Sequence, residues 1–133
     1  MHIAHLETGR HLYGGARQVL YLLEGLGQEG VQSTLICPPE SAVAEAASKL
    51  GLTIELMPMS GDLDAGFGQR LAGWLKDHQP DLLHVHSRRG ADMWGGVAAR
   101  QVGTPAVLSR RVDNPDFPII GKVKYRLYKR VIA

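Results

Sequence analysis

The sequence predicts an α/β fold in three layers, a parallel sheet with helices on both faces, and three observations lead there. Short apolar runs alternate with amphipathic stretches along the chain, and glycines or prolines punctuate the changes between them. The 133 residues, 44% of them hydrophobic, suffice for one three-layer core and fall short of two full domains. A single domain over residues 1–133 is therefore expected.

The elements follow in order. Ile3 to Leu6 reads as a strand and leads into a loop with closely spaced glycines, Gly9, Gly14 and Gly15. Val19, Leu22, Leu23 and Leu26 recur on one helical face, and Gly27 to Gly30 end that helix. Gln32 to Cys37 is a second strand, stopped by Pro38-Pro39. The alanine-rich stretch from Glu40 to Leu50 presents Val43, Ala46, Ala47 and Leu50 as the apolar side of a helix ended by Gly51. Thr53 to Met57 is a third strand, and Pro58 to Asp64 a loop. Phe67, Leu71, Trp74 and Leu75 mark a helix that stops before Pro80. Leu82 to His86 is a fourth strand, and Ser87 to Gly90 leads into a helix from Ala91 to Val102 with Met93, Trp94, Val97 and Ala98 on its apolar side. Pro105 to Ser109 is a fifth strand, Arg110 to Pro118 a polar loop, and Ile119 to Arg130 resumes a helical pattern through Ile120, Val123, Leu127 and Val131.

Such alternation implies right-handed crossovers, with ligands bound beyond the carboxyl ends of the strands where strand order reverses. The loops Glu7–Gly15, Ser87–Gly90 and Arg110–Pro118 all leave carboxyl ends and should share one edge of the domain. Their glycines, histidine and arginines point to an anion-binding cleft. At Gly14 and Gly15 the backbone can approach a ligand, and the amides and positive dipole end of the next helix would face it. A glycine-rich turn without a ligand is the plainer alternative. Neither G-x-G-x-x-G nor Gly-Lys-Ser/Thr is present, and the second strand ends in Cys37-Pro38-Pro39 rather than an acid, which disfavours nicotinamide and P-loop chemistry.

His84 and His86 lie two apart in a strand and share a face. His-x-His supplies two ligands of a metal site, but no third ligand is evident nearby, and no metal is expected. His86, nearer the carboxyl end, is the better placed to meet a ligand or move a proton, whereas His84 reads as a satisfied core histidine. Arg88-Arg89 and Arg110-Arg111 flank the same edge, and guanidinium groups suit phosphate or carboxylate.

The net charge of +2 conceals an asymmetry. Residues 1–87 hold five Lys/Arg and ten Asp/Glu, a balance of −5, whereas residues 88–133 hold ten and three, a balance of +7. An anionic partner is implied. Lys122, Lys124, Arg126, Lys129 and Arg130, interleaved with apolar and aromatic residues, suit a helix at an anionic membrane surface; a solvated face on a core helix is the simpler reading. No recognition-helix or RNA-binding motif accompanies the charge, so nucleic acid is not expected. The single cysteine, Cys37, excludes an intramolecular disulfide and fits a reducing cytoplasm, as a buried small hydrophobe. No run reaches the roughly 18 apolar residues of a membrane span, and no signal peptide is visible. A cytoplasmic protein, with peripheral contact at the inner face of a membrane, is the expectation.

In this order and spacing, several segments resemble the N-terminal half of a GT-B glycosyltransferase of family 4, the glycosyl transferases group 1 type. They are the Gly14-Gly15-Ala16 turn and its helix, Asp81 to Ser87, Arg88-Arg89-Gly90, and Pro105 to Pro115. Members similar to it include bacterial enzymes that build lipopolysaccharide and other envelope glycans. The resemblance implies one of two Rossmann-like domains facing a cleft, the nucleotide-sugar donor held mainly by the C-terminal domain and a glycan or lipid acceptor by this one. It implies sugar transfer with retention of configuration, usually without a metal or other cofactor. By position, Gly14 and Gly15 would approach the donor pyrophosphate and His86 would sit beside the donor sugar. Arg88, Arg89, Arg110 and Arg111 would line the acceptor side. The family's C-terminal domain and its Glu-x7-Glu motif are not found in these residues, so the chain is expected to be an N-terminal, C-terminally truncated piece without turnover of its own. A non-catalytic module binding an anion, membrane or protein partner is the competing class.

Overall fold

The computed structural model of the chain describes residues 1–9, 14–61, 63–86, 91–109 and 130–132. In chain order the elements are β1 (His2–Leu6), α1 (Gly14–Gln28), β2 (Gln32–Cys37), α2 (Ala42–Lys49), β3 (Ile54–Leu56), α3 (Ala65–His78), β4 (Leu82–His86), α4 (Ala91–Val102), β5 (Ala106–Ser109) and β6 (Arg130–Ile132). The strands form one sheet in the order β3-β2-β1-β4-β5-β6. Every neighbouring pair is parallel. From β1 the chain steps outward through β2 to β3, then returns to β4 on the other side of β1 and steps outward again. Strand order therefore reverses between β1 and β4, where a ligand crevice forms in folds of this kind.

The two faces are packed by different helices, as strand alternation requires. Ala4, Leu6, Ile36, Leu83, Val85 and Leu108 share one core with Phe67, Leu71 and Leu75 of α3 and with Ala98 and Ala99 of α4. Leu35 and Cys37 pack instead with Val19, Leu20 and Leu23 of α1 and with Val43, Ala44 and Ala47 of α2. Each fully buried Leu, Val or Phe stabilises by ~1.5–3 kcal/mol relative to exposure, well above the tenths that separate most residues in helix propensity, so packing decides where the helices lie.

Helix starts follow side-chain capping. Ser41 Oγ accepts from Ala44 N–H at 3.1 Å and donates to Pro38 O at 2.8 Å. Asp64 caps α3 by accepting from Phe67 N–H at 3.1 Å, and its other oxygen accepts from Ser60 N–H at 3.0 Å and Arg70 Nη2 at 3.1 Å. These hydrogen bonds, Ser60 N–H first, hold the Asp64 carboxyl down at about 2.

Three expectations are corrected. The buried stripe of α4 is Ala91, Asp92, Gly95, Gly96, Ala98 and Ala99 rather than the face with Met93, Trp94 and Val97, which are only partly buried. Small residues let α4 approach the sheet closely, and Trp94 turns to α3, where its ring would lie 3.1 Å from a Cβ placed on Gly68. Leu50, expected on the apolar side of α2, is 47% exposed. Arg130 and Val131 belong to strand β6 rather than to a helix, Val131 pairing with Leu108. The apolar, β-branched Val131-Ile132 pair suits an added parallel strand. The expected helix over residues 119–129 lies outside the described residues.

Candidate functional site

Beyond the carboxyl end of β1, Glu7 continues the ladder by donating its N–H to Ile36 O at 3.0 Å. Its side chain is buried, and Oε1 accepts from Gly9 N–H at 2.9 Å. One amide of the glycine loop is thus already held by a carboxylate. Burial, with the Glu7 charge added, pushes the Cys37 thiol up to about 11, which makes it an inert core residue as its sequence context implies. Gly14 and Gly15 open α1, so their backbone amides lead the helix toward the β1/β4 reversal. Asp92 is a further buried carboxylate, in the first turn of α4.

The chemistry at the reversal comes from histidine. His5 of β1 is the register partner of His84 on β4. His86 stands two residues further along β4, opposite Ser109 of β5. Alternation sends all four side chains to one face of the sheet. His5 and His86 are both 0% exposed. Their rings are nearly parallel, and His5 Nδ1 lies 3.2 Å from His86 Nε2, a hydrogen bond whose proton sits on one or the other nitrogen. His84 stacks on His86 with centroids 4.2 Å apart, and its Nε2 is 2.6 Å from Ser109 Oγ. The other His5 nitrogen, Nε2, is buried without a hydrogen-bond partner. Burial first, then the neighbouring His84 and His2, hold His5 down at about 3, so its ring is neutral near pH 7. One ring nitrogen from each of His5, His84 and His86 lies within 4.8 Å of the other two, close enough to share a metal ion.

His84 and His86 are therefore brought together as their spacing implies, and a third histidine that the sequence did not single out completes the group. A signal existed: His5 occupies the middle of the first strand. Its partner on β4 depends on strand order and register, which no local pattern states. His86, expected at a ligand, is covered in this structure and faces His5. The expected positions Arg88, Arg89, Arg110 and Arg111, and the basic residues Lys122, Lys124, Arg126 and Lys129, lie outside the described residues. No described helix is long and apolar enough to cross a membrane.

No curated protein sequence matches the chain. Among solved structures, the chain is similar to MurG of Acinetobacter baumannii, with 17% identity, a TM-score of 0.76, and coverage of 98% of this chain and 40% of that one. It is also similar to Alr3699/HepE of Anabaena in complex with UDP and glucose, with 14% identity, a TM-score of 0.77, and coverage of 100% and 38%. UDP-GlcNAc 2-epimerase from Neisseria meningitidis bound to UDP-GlcNAc gives 12% identity, a TM-score of 0.71, and coverage of 97% and 39%. The chain thus spans well under half the length of these proteins. At such identities the likeness establishes the fold, the Rossmann-like α/β/α sandwich that the sequence implies. Residues 13–132 match the glycosyl transferase 4-like domain, and since that match covers most of the chain, the chain belongs to this glycosyltransferase family.

Proposed function

We propose that this chain is the acceptor-side half of a retaining glycosyltransferase, which moves a sugar from a nucleotide-sugar donor to an envelope glycan or lipid acceptor. The carrying observation is the opening of α1, through Gly14 and Gly15, at the β1/β4 reversal of a glycosyl transferase 4-like domain. Breaking the sugar–phosphate bond leaves negative charge on the departing nucleoside diphosphate. Backbone amides and the positive end of α1 stabilise that charge, and the stabilisation grows as the bond breaks. The structural relatives in complex with UDP or UDP-GlcNAc support a nucleotide-sugar donor of that class. In this reading His86 lies beside the donor sugar as part of the crevice floor, since its ring is covered by its neighbours. Arg88, Arg89, Arg110 and Arg111 line the acceptor side.

Donor binding is assigned mainly to a second domain, in keeping with coverage of 40% or less of the relatives' chains. The test uses a protein that carries both domains. Gly15→Val, which blocks close backbone approach, should lower kcat by roughly 10²–10³-fold, the scale of one lost oxyanion donor, with the fold retained by circular dichroism. Near-normal turnover would remove the glycine turn from the site. The 133-residue chain alone should transfer no radiolabelled sugar. The basic residues Lys122, Lys124, Arg126, Lys129 and Arg130 are assigned to peripheral contact with anionic lipid on the cytoplasmic side, where a lipid-linked acceptor would be met.

A further inference from the structure

We propose that His5, His84 and His86 form a binding site for one divalent first-row transition metal ion, Zn²⁺ foremost, which clasps β1 to β4 beneath the crevice. The inference stands on the geometry of the cluster and is independent of the glycosyl-transfer reading.

Three imidazoles from two adjacent strands present one nitrogen each within 4.8 Å of one another. His5 Nδ1 lies 3.2 Å from His86 Nε2, so these two rings are already in direct contact. Two of the ligands come from a His-x-His strand, whose alternation aims both rings from one face. The third comes from the register partner of the first, so the sheet itself fixes the spacing.

The cluster's own hydrogen bonds do not close it. His5 and His86 share one bond, and His84 is bonded to Ser109. His5 Nε2 nevertheless remains buried without a partner, whichever ring holds the shared proton. Buried polar nitrogens are nearly always satisfied, and hydrogen bonding leaves this one unexplained. Neutral imidazole is the form that binds a metal, and burial keeps His5 neutral. His84 meets a further requirement: a ligating histidine usually donates its second N–H to an oxygen, and Ser109 Oγ stands 2.6 Å from His84 Nε2. Imidazole-only donors favour zinc, copper, iron or nickel over magnesium or calcium. Three protein ligands leave the fourth position of a tetrahedral ion to water.

The experiment is metal binding by the chain after chelator treatment. Dialysis against Zn²⁺ should leave one ion per chain, and Co²⁺ in its place should give the intense visible absorption of a four-coordinate site. His5→Asn and His84→Asn should each abolish stoichiometric retention, while His2→Asn, outside the cluster, should leave it unchanged. Ser109→Ala keeps all three ligands and should weaken affinity roughly 10–100-fold, a readout that survives even where a histidine variant fails to fold. Zn²⁺ should also raise the thermal midpoint of the parent chain and not that of His5→Asn. The proposal is overturned if the parent retains no ion after dialysis, or if retention and affinity are the same in His5→Asn, His84→Asn and Ser109→Ala as in the parent. Because no step of the test measures sugar transfer, its failure is distinguishable from failure of the functional reading.

Discussion

His5 shows how one buried ring couples fold stability to pH. In the folded chain its pKa lies near 3, whereas an exposed imidazole titrates near 6.5. The unfolded chain therefore takes up the proton first as pH falls. Stability contributed by neutral His5 is fully present above about pH 6.5 and is lost as pH drops toward 3, at a limiting ~1.4 kcal/mol per pH unit. For the chelator-treated chain, urea unfolding should lose about 2 kcal/mol between pH 6.5 and 5, and His5→Asn should flatten that slope. A slope unchanged in His5→Asn would place the titrating group elsewhere, with His2, also lowered by burial, the next to test. At the same scale, the sequence disclosed His84 and His86 as a pair on one face but not their partner. The parity of a strand is written in its own residues, whereas the residue across from it is chosen by assembly of the whole sheet.

At the scale of elements, α3 and α4 meet closely at Gly68 and Trp94. A Cβ on Gly68 would stand 3.1 Å from the Trp94 ring, closer than packed atoms tolerate without movement. Gly68→Val adds two methyl groups beyond that point and should lower unfolding free energy by roughly 1–3 kcal/mol, measured by denaturant titration. Trp94→Leu should recover part of the loss by vacating the space. β2, β4 and α4 have the bounds their punctuation predicts, since Pro38, Pro80, Gly90 and Gly103 each interrupt a backbone pattern locally. The ladder at β3 reaches its predicted limits through Leu35 N–H to Thr53 O and Met57 N–H to Cys37 O, both 2.9 Å. The buried face of α4 was misjudged because hydrophobicity ranks Met and Trp above Gly and Ala, while close approach to a sheet selects for small volume. β6 is three residues long, too short for periodicity to separate it from the helical pattern before it.

For the molecule as a whole, the charge balance of −5 over residues 1–87 and +7 over residues 88–133 divides the chain in sequence. If the basic end meets lipid as proposed, the chain should co-sediment with vesicles containing anionic lipid at low salt and be released near 1 M salt, where screening shortens to about 3 Å. Absence of binding at low salt would reject the contact. The family and the parallel sandwich were legible because alternation of elements is a property of the entire chain. The arrangement of the loops was less so, since the sequence expects them on one edge without fixing how their atoms converge.

Strand order has a further consequence, in time rather than in space. β1 pairs on one edge with β2, which follows after a single helix, and on the other with β4, so that His2 N–H meets Asp81 Oδ2 across 79 positions and His5 meets His86 across 81. A chain emerging from the ribosome can close the first edge early, but the second stays open until β4 has been made, and closing so long a loop costs entropy before any contact rewards it. The first three strands with α1 and α2 can thus gather as a half, onto which the later strands dock. The three histidines meet only at that docking, and their ring signals in a refolding experiment should appear last, marking the moment at which the two halves have become one sheet.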